Sequence, residues 1–142
     1  MSNLGKMIAI VSDAFADKKD KGGKPYILHC IRVMNNLHTF DEELMTIAIA
    51  HDLIEDTDIS IWDLKANGFS SRVCSAIELL THKKEYSYDD YIKKISFNPD
   101  AVKVKLADLK DNSDITRLKG LTKKDFDRME KYSRAYTYLS NI

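Results

Sequence analysis

Apolar residues recur at helical spacing along almost the whole chain. Leu4, Met7, Ile8, Val11, Ala14 and Phe15 predict an amphipathic helix over 3–18. The polar run from Asp17 to Lys24 reads as a loop, broken by Gly22-Gly23, and Pro25 suits the first turn of the next helix. That helix runs to about Leu37 with Ile27, Ile31, Val33 and Met34 inward. Asp41 caps a strongly apolar helix from Glu42 to about Glu55, whose centre Ile47-Ala48-Ile49-Ala50 is apolar nearly all round, as in the middle of a bundle. Ser60 and Ser70 cap shorter helices over 61–66 and 71–82. Ser87 starts another with Tyr88, Tyr91, Ile92 and Ile95. Asn98-Pro99-Asp100 stops that helix and starts one over 101–113. Thr122 and Asp125 form a capping-box pattern before a last helix over 123–140. With no repeat or linker visible, the expected architecture is all-α, a compact helical bundle in one domain over 1–142.

Composition agrees and narrows the function classes. The chain has 142 residues, 44% hydrophobic and 31% charged, with only two prolines and five glycines. That is enough chain to bury a core without staples. Lys+Arg and Asp+Glu are both 22, so bulk electrostatics do not point to a nucleic-acid partner. A small anionic ligand needs only a local basic cluster. No apolar run reaches the ~20 residues of a membrane span, and Met1 to Lys6 carries no signal-peptide pattern. Cys30 and Cys74 form no C-x-x-C and read as reduced, partly buried thiols of a cytoplasmic protein.

The chemistry concentrates in three segments. His51 and Asp52 close the apolar central run, with Glu55 and Asp56 each four residues on, so one helical turn gathers four ionisable groups. Burying them without a partner is costly, and a divalent cation offsets that charge. Acidic side chains at a helix C-terminus also oppose the macrodipole, which marks the segment for function rather than stability. His29 sits on an otherwise apolar helix. Asp108 lies in Val102-Lys103-Val104-Lys105-Leu106-Ala107-Asp108, with Asn112 at i+4 on the same face.

The order His…His-Asp…Asp resembles the HD superfamily of metal-dependent phosphohydrolases. The strings from Gly23 to His29, from His51 to Asp58 and from Val104 to Asn112 resemble the hydrolase domain of RelA/SpoT-type alarmone enzymes, and still more the stand-alone small alarmone hydrolases. That resemblance implies His29, His51, Asp52 and Asp108 as ligands of one divalent metal ion, with manganese the first choice. It implies Glu55 and Asp56 as the acidic pair that activates water. It implies Asn112, Arg128 and Tyr132 as nucleotide contacts. Lys21 and Lys24, on the glycine-containing loop, are candidates to steady phosphates. The implied activity is removal of the 3′-pyrophosphate from a (p)ppGpp-like nucleotide. Alternatives are HD hydrolysis of another nucleotide or phosphate monoester, and a nucleotide-binding HD module without catalysis. The expected partner is a small-molecule nucleotide, with no nucleic acid and no membrane.

Two departures stand out. The relatives carry a basic residue, often Arg, just before the position of Lys21, where it stacks on guanine; here it is Asp20. Their His-x-Gly-Gln stretch is Phe15-Ala16-Asp17-Lys18. Both leave the metal ligands intact and predict weaker discrimination between guanine and other bases.

Overall fold

The computed structural model describes residues 3–142; Met1 and Ser2, part of the stretch read for a signal peptide, lie outside the described residues. The helices follow one another as α1 (Asn3–Ala14), α2 (Ile27–Asn35), α3 (Glu42–Ile49), α4 (Leu53–Asp56), α5 (Ile61–Ala66), α6 (Ser71–Leu80), α7 (Tyr88–Ile95), α8 (Pro99–Asn112) and α9 (Lys123–Ser140). A 3-10 turn, Ile115–Arg117, joins the last two. The fold is all-helical, with no strand among the described residues.

Most boundaries follow local chemistry. Asp41, Ser60, Ser70, Ser87, Asn98 and Thr122 each accept a backbone N–H at the helix start they were read to mark. Thr122 and Asp125 complete a reciprocal capping box, as do Ser60 and Asp63. Helices α2 and α6 end two residues early and α8 is shifted by one or two residues, while three other boundaries differ in ways that shape the site. Helix α1 ends at Ala14, and Phe15 leaves the helix to pack into the core against the ring of Tyr26. Helix α2 begins at Ile27, because Pro25 instead closes an isolated antiparallel bridge with Lys19. The third is the central helix.

Helix α3 sits at the middle of the core. Ile47, Ala48, Ile49 and Ala50 are fully buried and α3 packs against α1, α2, α6 and α8. The expected continuous helix to Glu55 breaks after Ile49 and resumes as α4. Between them the chain tightens, with His51 N–H donating to Ala48 O and Leu53 N–H to Ala50 O. The break turns His51 and Asp52 together toward α2 and α8. It also moves Glu55 and Asp56 from the end of a long helix into the first turn of a short one. In so short a helix Asp56 is also the last residue, so the acidic helix end read from the sequence remains.

Both cysteines are free and buried. No helix among the described residues is long and apolar enough to cross a membrane.

Candidate metal centre and active site

Helix α2 contributes His29, the α3–α4 break contributes His51 and Asp52, and α8 contributes Asp108. One donor atom from each lies within 4.8 Å of all the others. His29 Nε2 stands 3.3 Å from His51 Nε2, 3.1 Å from Asp108 Oδ1 and 3.7 Å from Asp52 Oδ2. His51 Nε2 is 3.0 Å from Asp52 Oδ2 and 3.2 Å from Asp108 Oδ1.

The outward nitrogens are tied down. His51 Nδ1 donates to Ala48 O at 2.7 Å, and His29 Nδ1 lies 2.6 Å from Asp111 Oδ2. Both Nε2 atoms are thereby aimed inward, the arrangement usual for metal-ligating imidazoles. Two Nε2 lone pairs facing each other in the core repel unless a cation lies between them. Adjacent ligands on one ion with bonds of ~2.1 Å stand roughly 3.0–3.4 Å apart, so the observed spacings fit a single divalent ion. The surrounding carboxylates favour positive charge on both rings. Burial alone would lower both histidines, but hydrogen bonds to Asp108, Asp111 and Asp52 push His29 up to about 11. His51 is raised too, by the charges of Asp52 and Asp108 against its burial. Burial would raise the two aspartates; His51 and His29 hold Asp52 low, and Lys105 with both histidines does the same for Asp108.

The four donors border a cavity of about 490 Å³ through Asp52 and Asp108. Glu55, Asp56, Lys21, Asn112, Arg128 and Tyr132 all line it. Lys24 does not: its backbone N–H caps the Asp20 carboxylate and its side chain is outside the lining. Glu55 accepts the His82 N–H at 2.7 Å, and burial, then the charges of Asp52 and Asp56, raises its pKa. Asp56 pairs with Lys18 at 3.1 Å. Asn112 donates to Asp108 Oδ1 at 3.0 Å, so it orients a ligand as well as facing the cavity. Arg128 is ion-paired with Asp125.

Several residues here went unread in the sequence. Tyr26 donates to Asp52 through a short hydrogen bond. Lys105 is buried and donates to Asp108 Oδ2 at 2.9 Å, while Asp111 backs His29. Lys105, Asp108 and Asp111 recur every three residues, and that period was the available signal. The structure also gives Asp20 a partner. Its carboxylate lies 3.0 Å from Arg117, whose other nitrogen lies 2.8 Å from Asp111. A Cβ on Gly22 would overlap the carbonyl oxygen of Arg117, so the glycine lets this loop close on the 3-10 turn.

Known proteins resemble this chain in fold and, over part of its length, in sequence. A solved structure of a metazoan ortholog of SpoT, described as hydrolysing ppGpp, superposes with a TM-score of 0.79 over 98% of this chain and 85% of that one, at 22% identity. A guanosine-3′,5′-bis(diphosphate) 3′-pyrophosphohydrolase of Aquifex aeolicus is 32% identical over 106 residues, 68% of this chain. The chain is an HD-type, RelA/SpoT hydrolase-like domain. A probable guanosine-3′,5′-bis(diphosphate) 3′-pyrophosphohydrolase from Synechocystis is 33% identical over 78 residues, 54% of this chain. The Vibrio cholerae enzyme of the same name is 27% identical over 135 residues, 88% of this chain. The RelA/SpoT hydrolase-like domain spans only 10%, 15% and 19% of the Synechocystis, Aquifex and Vibrio proteins. No protein-family profile matches it.

Proposed function

We propose that this domain hydrolyses the 3′-pyrophosphate of a (p)ppGpp-like nucleotide, using one divalent ion, manganese by preference, held by His29, His51, Asp52 and Asp108. The observation that carries the reading is the meeting of four ligand atoms within 4.8 Å beside a cavity shared with Glu55 and Asp56. The mixed imidazole and carboxylate set suits Mn²⁺, among other ions. When bound there, the ion would polarise a phosphoryl oxygen and lower the pKa of a water.

The residues divide the remaining work. Glu55 is the proton acceptor for the attacking water at one carboxylate oxygen, the other being held by the His82 N–H. Asp56, steadied by Lys18, orients that water. Lys21 and Arg128 offer positive charge to the phosphates, and Asn112 and Tyr132 face the nucleoside. The reaction consumes one water, breaks the P–O bond to the 3′ oxygen and releases pyrophosphate and the 3′-hydroxyl nucleotide. The two buried free thiols accord with a reducing, cytoplasmic setting.

A second reading, hydrolysis of another nucleotide or phosphate monoester, is favoured by Asp20, a carboxylate on the cavity wall where the resemblance implies a base-stacking cation. A turnover assay on a nucleotide panel, with and without Mn²⁺, separates the readings. Pyrophosphate release from guanosine tetraphosphate that stops with a chelator is the expected result. Binding without turnover across the panel would favour a non-catalytic module.

A further inference from the structure

The loop between α1 and α2 is folded around one carboxylate. Asp20 N–H donates to Lys24 O at 2.8 Å, and Gly23 N–H donates to Asp20 O at 3.0 Å. Lys24 N–H donates to Asp20 Oδ1 at 2.9 Å. The other oxygen, Oδ2, leaves the loop and accepts from Arg117 Nη2 at 3.0 Å. Lys21, Gly23 and Lys24 around it are exposed, yet the Asp20 side chain is only 7% exposed.

Arg117 carries the contact inward. Its Nη1 donates to Asp111 Oδ2 and to Asp111 O, both at 2.8 Å. Asp111 Oδ2 is the same oxygen that lies 2.6 Å from His29 Nδ1. A line of hydrogen bonds with no gap therefore runs from Asp20 through Arg117 and Asp111 to His29. Its members come from the α1–α2 loop, the 3-10 turn, α8 and α2. A guanidinium is planar and rigid, so holding Nη2 at Asp20 sets the direction from which Nη1 meets Asp111.

We infer that Asp20 and Arg117 couple the α1–α2 loop to the metal centre, so that divalent-ion binding and order in the loop support each other. The hydrogen bond from His29 Nδ1 to Asp111 supports the basicity and orientation of the ligating Nε2. With Asp20 at its far end, Arg117 shares its charge between two carboxylates. Without Asp20 that charge falls on Asp111 alone and draws it away from His29. The coupling is reciprocal, so whatever the ordered loop gives to metal affinity the metal returns to the loop. The loop carries Lys21 onto the cavity wall, and the loaded centre thereby also sets its substrate-facing side. Asp20 and Arg117 are positioning residues in this scheme. It rests on the reading of His29 as a metal ligand and is independent of which nucleotide is cleaved.

Asp20→Asn keeps the size of the side chain and removes its charge. Titration of the chelator-stripped variant with Mn²⁺ should show binding weakened by roughly three- to tenfold, less than the 10–100-fold typical of a direct outer partner. A relay predicts non-additivity: in an Asp111→Asn background, Asp20→Asn should cost little further affinity, whereas a through-space charge effect would persist. From the other end, Mn²⁺ should slow hydrogen exchange at the amides of Asp20, Gly23 and Lys24 in the unmodified protein and not in Arg117→Met. Unchanged Mn²⁺ affinity in Asp20→Asn, an undiminished penalty in the double variant, or loop exchange indifferent to Mn²⁺ overturns the coupling. An unmodified protein that binds no divalent ion overturns the metal-centre reading and the coupling with it. Mn²⁺ binding with the expected pattern but no turnover of any nucleotide overturns the activity alone, and the coupling stands.

Discussion

His29 Nδ1 lies 2.6 Å from Asp111 Oδ2, and this contact fixes which nitrogen of the imidazole faces the other three ligands. Asp111 is itself held by Arg32 at 2.8 Å and Arg117 at 2.8 Å, so the ring is braced from its own helix and from the 3-10 turn. Outer partners of this kind typically carry a 10–100-fold effect on metal affinity. Asp111→Asn, which keeps the shape and removes the charge, should weaken manganese binding by roughly that factor. Titration of the chelator-stripped protein with Mn²⁺ checks it, and an unaltered affinity would show that the brace is idle.

The same carboxylate predicts a pH dependence of stability. Burial would raise the Asp111 pKa, but His29, Arg32 and Arg117 bring it down to about 2 from the ordinary 3.8. A depressed folded-state value means stability that is present above about pH 4 and is lost as pH falls toward 2. The displacement corresponds to about 2 kcal/mol. Denaturant unfolding at several acidic pH values should show Asp111→Asn losing that part of the slope between about pH 4 and 2.

Metal binding and water activation should separate by mutation. His51→Ala removes a ligand and should lose both the metal and turnover. Glu55→Gln and Asp56→Asn should keep the metal and lose turnover by roughly 10²-fold, the scale of an absent acid–base group. Because burial raises Glu55, the acid limb of kcat/KM should fall off above the ordinary carboxylate range near 4.5. Metal content measured beside the rate profile tests all three, and near-normal turnover in both acidic-pair variants would call for a different base.

How far these features were legible follows the distance between partners. Helix starts were readable because Ser60, Ser87, Asn98 and Thr122 accept N–H groups three residues on, a relationship contained in one stretch of sequence. The break after Ile49 was not, since Ala48-Ile49-Ala50 favours helix locally and the bend serves contacts of His51 and Asp52 with α2 and α8. The ligand set was visible only through resemblance, as a lone His29 or Asp108 carries little signal by itself. Asp20 was misleading in isolation. Its partner Arg117 lies 97 residues away, and no local pattern joins them.

That pairing reverses an expectation about position 20. Read from the sequence, Asp20→Arg restores a missing cation and should tighten binding of a guanosine substrate. In the fold, the Asp20 carboxylate is drawn to a lower pKa despite its burial, by the Lys24 N–H and by Arg117. An arginine there would remove one counter-charge of Arg117 and set a second guanidinium beside it, at the mouth of the same cavity. For a part-buried pair the cost is roughly 1–3 kcal/mol, between exposed and fully buried ion pairs. Asp20→Arg should therefore lower the thermal midpoint and raise the KM for a guanosine substrate. Arg117 itself already brings a planar guanidinium to the cavity wall, braced by Asp20 and Asp111, and guanidinium planes stack on aromatic faces. Arg117→Lys should lose discrimination between guanosine and adenosine substrates carrying the same phosphates. Kinetics of both variants on the two nucleotides decide the matter: a lower KM for guanosine in Asp20→Arg would show that position 20 reads the base after all.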